Sequence, residues 1–596
     1  MAATELQHFE GQFTPNEGGI ANGNSKRGGW ITFPFITGLS LSLESNNLSL
    51  SLESNIDVGV APVWTGCVMG LILAAGGWIW NLIVYLIVEF NVKSVDAAQI
   101  SNIVNGATSL FPIAGAIIAD SFLGCSSVII ISSFISLLGM ILLTLTATVH
   151  SLRPPPCTNG SDTCETPSKL QFTILYTVIA IAAIGAGGTR FTVATMGADQ
   201  FDKPKDQAIF FNWYFFTLYF SSIISTTAIV YVQDNVGWGL GFGLGIVANV
   251  IGIAFFLFGI RHYRYIKPQG SPFTSLARVV VATIRKRKVS VSLGSEDYYY
   301  EHNGVTKLPS PTPTSSFRFL NRAALKTQGD TGSNGSIARP WRLCTVEQVE
   351  DLKTLIRIFP LWSTAIFLST PIGIQASLTT LQALTMDRHI GPHFQIPAGS
   401  FLVFTLVSTA IFLTIIDRTL CPMWQKLTRR SPTPLQRVGL GHVLNVTSMV
   451  GSALVETNRL RIARSHHLTG QPGSIVPMSA LWLVLPLSIV GVGEAFHFPG
   501  QVALYYQEFP KSLHNTATAM IALIIGIAYY LSTVVIDLVR RVTGWLPDNI
   551  NNGRLDNVFW MLAVIGVINF GYYLTCARLY KYQSVEKDDT SSSSDR

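Results

Sequence analysis

Apolar runs of about 20 residues, long enough to cross a bilayer as helices, recur along the chain with charged or turn-forming stretches between them. Bounded in that way, they predict helices near 62–90, 100–119, 126–149, 172–198, 208–231 and 237–260. After a long polar gap a second set follows near 354–374, 396–416, 437–455, 477–506, 515–539 and 557–578. The expected fold class is an all-α membrane protein, with twelve transmembrane helices in two six-helix bundles around one cavity. The division that follows is an N-terminal region 1–61, a first bundle 62–260, a central linker 261–353, a second bundle 354–578 and a disordered tail 579–596. One stretch breaks the pattern. LSLSLESN occurs at Leu39–Asn46 and again at Leu48–Asn55, interrupting the apolar approach begun at Trp30, so residues 36–69 read as an insertion.

Composition sharpens this. The 596 residues are 48% hydrophobic and only 13% charged, with a mean hydropathy of +0.38, about half the charge of a soluble domain. A soluble enzyme, a disordered scaffold and a disulfide miniprotein are excluded, and the lipid bilayer is the first partner. The formal charge of +7 does not point to nucleic acid, because Lys and Arg of membrane proteins gather in cytosolic loops. Residues 261–352 hold 14 Lys/Arg against seven Asp/Glu, and residues 418–437 hold five Lys/Arg. Both loops, and with them both termini, are expected in the cytosol. The loop from His150 to Lys169 is then outside. It holds Cys157 and Cys164, an expected disulfide, and Asn159 of the sequon Asn159-Gly160-Ser161, an expected glycosylation site. Arg459, Arg461 and Arg464 run against this topology, since their loop falls on the outer side.

The cysteines show no metal-ligand spacing, so no metal and no cofactor is expected. Residues 1–29 are polar and lack the apolar segment of a cleavable signal. The linker, rich in Ser, Pro and Gly between Pro309 and Pro340, reads as a flexible connection with short surface helices and as a candidate kinase substrate. Oligomeric state has no signal.

Ionisable residues inside a span are functional hypotheses by default. The two deepest are Arg190 in helix four and Glu494 in helix ten, which hold equivalent places in the two halves at similar depth. Gly185-Ala186-Gly187-Gly188 precedes Arg190, and Gly491-Val492-Gly493 precedes Glu494; small residues let helices approach closely. An ion pair across the cavity follows, with the Arg190 guanidinium as a fixed cation for an anion. His497, three residues after Glu494 and on nearly the same helical face, is a candidate pH sensor together with Glu494. Helix seven carries Ser363, Thr364, Gln375, Ser377, Thr379 and Gln382 without an ionisable group, and Gln375, Ser377 and Thr379 are candidate substrate ligands along with Tyr85. The structural alternatives are a snorkelling Arg190, a purely structural salt bridge at Glu494, a core His497, and Ser and Thr spent on helix packing.

These residues resemble the plant nitrate and peptide transporter family, within the proton-dependent oligopeptide transporters of the major facilitator superfamily. The resemblance rests on Gly187-Gly188-Thr189-Arg190 through Gly197-Ala198-Asp199-Gln200-Phe201, on Phe211-Asn212-Trp213-Tyr214-Phe215 and on Asp120-Ser121-Phe122-Leu123-Gly124. Members that co-transport protons carry E-x-x-E-R on helix one. Aligned on Asn81-Leu82-Ile83-Val84-Tyr85-Leu86, those three positions hold Val68, Leu71 and Ile72 here. Arg190 stands where the family usually has Lys, and the nitrate-binding histidine of the best-known dual-affinity member falls near Gly373.

The subgroup that looks closest is the nitrate excretion transporters of the plasma membrane, through Ile100–Gly106, Ser271–Leu276 and Gly493–Pro499. The resemblance implies passive, low-affinity efflux of a small inorganic anion, nitrate or chloride, by alternating access without proton coupling. The rival readings are a proton-coupled importer of nitrate, peptides, glucosinolates or hormones, and a receptor that binds nitrate without transport. No nucleophile–base pair suggests an enzyme.

Overall fold

The computed structural model describes residues 66–155, 165–190, 192–265, 272–291, 294–300, 313–314, 316–332, 337–471, 473–508 and 514–580. The repeated LSLSLESN, Cys157, Asn159, Cys164 and the tail beyond Tyr580 lie outside the described residues. Eleven described helices are long and apolar enough to cross a bilayer, and a bent pair, Cys67–Ile79 and Leu82–Phe90 at 45°, makes a twelfth. The bend follows from local chemistry: Asn81 turns out of helix one, and its amide donates to Gln233 Oε1 (3.1 Å) and Asp234 Oδ1 (2.9 Å) on helix five. Because Cys67 and Val68 are buried in this helix, the expected insertion 36–69 reaches a few residues too far.

Helices two to six run Ser94–Ile118, Cys125–Thr148, Lys169–Arg190 with Thr192–Ala198, Pro204–Ile224 continuing to Asn235, and Trp238–Gly259. Helices seven, eight and nine are longer than their apolar cores suggest. Helix seven spans Val346–Leu384, helix eight runs from Ala398 to Thr428, and helix nine spans Pro434–Ser465. The extra turns are polar, and capping boxes open helices seven and nine (Thr345 with Gln348, Thr433 with Gln436), satisfying end amides that hydropathy cannot report. Helices ten to twelve are Val484–Glu508, His514–Val542 and Leu555–Leu579. Two minimal strand pairings, Met386–Asp387 with Val476–Ser479 and His389–Ile390 with Phe394–Gln395, lie in the connections that follow helices seven and nine. Exposed apolar rows such as Leu244, Val247 and Val250 on helix six, and Val564, Val567 and Ile568 on helix twelve, suit contact with lipid tails. The chain is a multi-pass membrane protein.

Odd-numbered helices begin at the end that carries the linker. At the opposite end the two halves are bonded together. Arg540 of helix eleven pairs with Asp96 of helix two, and Asp548 binds Lys93 at 2.8 Å. Ser400 Oγ donates to Thr226 O at 2.6 Å, and the Tyr231 and Phe394 rings stack at 5.6 Å. Mid-depth, helix two meets helix eleven where Gly106 and Gly526 face each other, so close that a Cβ on either would stand 3.3 Å from the other's carbonyl oxygen. The halves are therefore closed at the end away from the linker.

Arg459, which conflicted with the expected topology, is fully buried beside Glu456 (2.6 Å) and bonded to Thr385 (3.0 Å) and Asn551. It is part of the interior of the second half and is no longer a surface charge of the kind that signals topology. Nor are the described linker residues a flexible connection. A helix at Pro272–Arg285 packs Val279 and Ala282 against Leu320, Ala323, Ala324, Val346 and Val349. Lys286 is buried there with its ammonium 2.8 Å from Asp330 and 2.5 Å from Leu325 O. Of the serines in the stretch Pro309–Pro340 read as a kinase substrate, Ser310, Ser315, Ser333 and Ser336 lie outside the described residues, and Ser316 accepts a hydrogen bond from Arg357 at 2.9 Å.

Candidate functional site

The glycines that precede the two charged residues bring helices together. A Cβ at Gly185 would stand 2.2 Å from Ser136 N, one at Gly187 2.7 Å from Phe111 Cβ and one at Gly188 2.2 Å from Ser132 Oγ, so helix four is pressed onto helices two and three. In the second half a Cβ at Gly491 would stand 2.5 Å from Thr405 O, and one at Gly493 3.3 Å from Leu444 Cβ, which presses helix ten onto helices eight and nine. The two halves thus build equivalent supports. The Tyr214 hydroxyl of helix five donates to the Arg190 carbonyl of helix four at 2.8 Å. Residues 185–189 are buried, while Arg190 itself is exposed.

Glu494 is part-buried and accepts a hydrogen bond from Thr409 of helix eight. Two phenols, Tyr219 of helix five and Tyr529 of helix eleven, each stand in the electrostatic field of both Arg190 and Glu494. One charge and one tyrosine come from each half. Sequence reading missed both tyrosines because hydropathy counts them as apolar; the polar tip on an apolar ring is the signal it overlooks.

Gly373 adds to the picture. A Cβ there would stand 3.0 Å from Ser532 Oγ and 3.2 Å from Tyr529 Cδ1, so Tyr529 occupies the space a side chain at position 373 would need.

The other expected ligands are engaged elsewhere. Tyr85 is 1% exposed, packed on Phe90, Trp238 and Phe242, and its hydroxyl lies 2.9 Å from Thr146 Oγ1. Gln375 donates to Ser448 (2.9 Å) and Ser452 (2.8 Å) of helix nine. Ser377 lies 3.4 Å from Asn102 Nδ2 of helix two, a contact between the halves, and its hydroxyl also faces the carbonyls of Gly373 and Ile374. Thr379 is buried. In this conformation these four side chains serve packing, because Ser and Thr in apolar surroundings satisfy themselves on nearby backbone.

His497 does not share a pocket with Glu494. It is 1% exposed, and its ring turns toward His442 of helix nine, with the two centroids 6.3 Å apart. A Cβ on Gly441 would stand 2.7 Å from His497 Cβ, which shows how tightly the ring is seated.

Val68 and Leu71 of helix one are buried with Ile129, Val193, Met196, Phe210, Tyr214 and Phe256, and Ile72 packs against the same cluster. The positions that would hold a helix-one carboxylate relay are thus closed by apolar packing. Neither of two pockets contains Arg190 or Glu494. One, of about 350 Å³, lies between helix seven and Met520 at the linker end. The other, of about 190 Å³, lies between the halves at the opposite end and is lined by Asp234 and Arg388.

Two helical bundles that span a membrane, closed on each other at one end and each carrying a charge at its glycine-supported helix, define a membrane transporter of the two-bundle type. The chain belongs to the POT family, whose model matches residues 126–552, and within it to the plant NRT1/PTR transporters. It is 52% identical over 571 residues to Protein NRT1/PTR FAMILY 2.7 of Arabidopsis thaliana, covering 96% of both chains. It is 54% identical over 528 residues to Protein NRT1/PTR FAMILY 2.6 of the same plant, covering 89% of this chain and 93% of that one. The fold matches that of the crystallised POT family transporter PepTSo with a TM-score of 0.63 at 16% identity, covering 86% of this chain and 96% of that chain. The all-α, major facilitator type of architecture expected from the sequence is therefore the observed one.

Proposed function

We propose that this transporter is a plasma-membrane uniporter for a small inorganic anion, nitrate before chloride, that lets the anion leave the cell down its electrochemical gradient. The linker and both termini are cytosolic in this reading, so the closed end faces outward and the cavity opens to the cytosol. What supports the proposal is that Arg190 and Glu494, one from each half, both act electrostatically on Tyr219 and Tyr529, beside an apolar helix one at Val68, Leu71 and Ile72. A fixed guanidinium with phenol donors suits a planar oxyanion. Without carboxylates on helix one, a proton has no relay there.

Glu494 repels the bound anion and keeps affinity low. When the site empties, Arg190 and Glu494 draw the halves together, and anion binding competes with that attraction. At a potential negative inside, each 100 mV favours exit of one negative charge by about 2.3 kcal/mol.

The test is labelled nitrate flux in proteoliposomes with voltage and proton gradient set separately. Flux is expected to follow voltage and the nitrate gradient and to ignore an imposed proton gradient. Arg190→Ala is expected to lower it at least about tenfold, the equivalent of about 1.4 kcal/mol. Uphill uptake driven by protons alone would overturn the uniport, and wild-type flux by Arg190→Ala at equal reconstitution would overturn the site.

A further inference from the structure

One face of the linker helix Pro272–Arg285 is used, and the other is not. Val279, Ala282 and Lys286 are turned into the linker core. On the far side Ala277, Val280 and Ile284 form an exposed apolar stripe at spacings of three and four, with Val280 43% and Ile284 59% exposed. The stripe ends in Arg285, Arg287 and Lys288, all exposed, while Lys286 alone of that basic run faces inward onto Asp330. Trp341 lies on the flank of that stripe, beside Arg278 and Arg285. It is 42% exposed, the Arg278 guanidinium sits 5.8 Å from its ring, and Arg285 donates to its carbonyl at 3.3 Å.

The helix has a fixed address. Leu276 packs in one cluster with Leu355 and Trp362, so its first turns lie against the start of helix seven, where that helix enters the bilayer. Apolar stripe, interfacial tryptophan and flanking cations together are the pattern of a helix lying in a membrane surface.

We propose that this surface docks on anionic phospholipid headgroups of the adjoining leaflet, with Ala277, Val280, Ile284 and Trp341 at the acyl boundary and Arg287 and Lys288 on the headgroups. The docking is independent of which solute is carried. It gives the linker, which joins the two halves, a hold on the membrane that lipid charge controls.

The experiment uses the full chain in nanodiscs. Trp341 emission, taken as the difference between wild type and Trp341→Phe, is quenched with brominated phosphatidylglycerol or with brominated phosphatidylcholine at equal mole fraction. The anionic lipid is expected to quench more strongly in the wild type. Arg287→Gln with Lys288→Gln is expected to remove that preference, at about fivefold in local anionic enrichment per charge. Ile284→Gln is expected to weaken quenching by both lipids. Equal quenching by the two lipids, or an undiminished preference in the double variant, would overturn the proposal. So would Trp341 that no lipid quenches but that an acidic peptide shields from iodide, which would assign the surface to a protein partner.

Discussion

Arg540→Gln removes the cation that ties helix eleven to Asp96 of helix two at the closed end. Arg540 and Asp96 are 29% and 39% exposed, so the pair is well hydrated and contributes about 0.5–1 kcal/mol to closure. Losing it is expected to raise the population open at that end by about two- to fivefold. The remaining contacts, Ser400 with Thr226 and Tyr231 on Phe394, keep the closed form in the majority. The readout is pulsed electron paramagnetic resonance between spin labels at Val236 and Ile475, exposed positions on the two halves at that end. A longer-distance component should grow in Arg540→Gln and stay small in Arg540→Lys, which keeps a cation facing Asp96 and Asp548. Raising salt from 0.1 M to 1 M, where the screening length falls from about 10 to about 3 Å, should reduce the difference between wild type and Arg540→Gln. An unchanged distance distribution in Arg540→Gln, or an Arg540→Lys that opens as far as Arg540→Gln, would refute the assignment of Arg540 as a latch.

Leu71→Glu places a carboxylate among Val193, Phe210 and Tyr214. It is expected to destabilise the protein by about 3 kcal/mol, seen as a lower thermal midpoint, without creating proton-driven uptake. Tyr529→Phe removes a phenol hydroxyl that stands in the field of both Arg190 and Glu494. It is expected to weaken apparent nitrate affinity about tenfold in flux assays, as for a hydrogen bond to an ion, with surface amount unchanged; an unaltered KM would remove Tyr529 from the site. Asp330→Asn leaves the Lys286 ammonium buried without its carboxylate. That costs about 3 kcal/mol and should make the linker sensitive to limited proteolysis while the spans stay folded. Burial works against ionisation of Asp330, but Lys286, Thr327 and Arg342 outweigh it and hold its carboxyl below the usual range. Its stabilising contribution is therefore complete above about pH 4 and lost as pH falls below that. Protease resistance of the wild-type linker should follow the same course.

The sequence by itself determined about how many helices cross the membrane, where the long linker falls and that helices four and ten each carry a charge. Each of these depends on the cost of placing polar groups in hydrocarbon, which is read residue by residue along the chain. The glycines before Arg190 and Glu494 were legible for the same reason, since only small residues allow the approaches seen at Gly185 and Gly491. Tertiary structure decided which way each side chain turns. In water an amphipathic helix declares its buried face, but in a bilayer the lipid-facing and core-facing sides are both apolar, and the pattern loses its azimuth.

So Gln375 was free to face a substrate or helix nine, and Ser448 and Ser452 claimed it. His497 could have stood with Glu494, yet the close packing at Gly441 set it beside His442. Glu494 found Thr409, and Arg459, a topology puzzle as a letter in the chain, became half of a buried pair with Glu456. The juxtaposition of Tyr219 and Tyr529 with the two charges, each half supplying one of each, exists only once the bundles have packed.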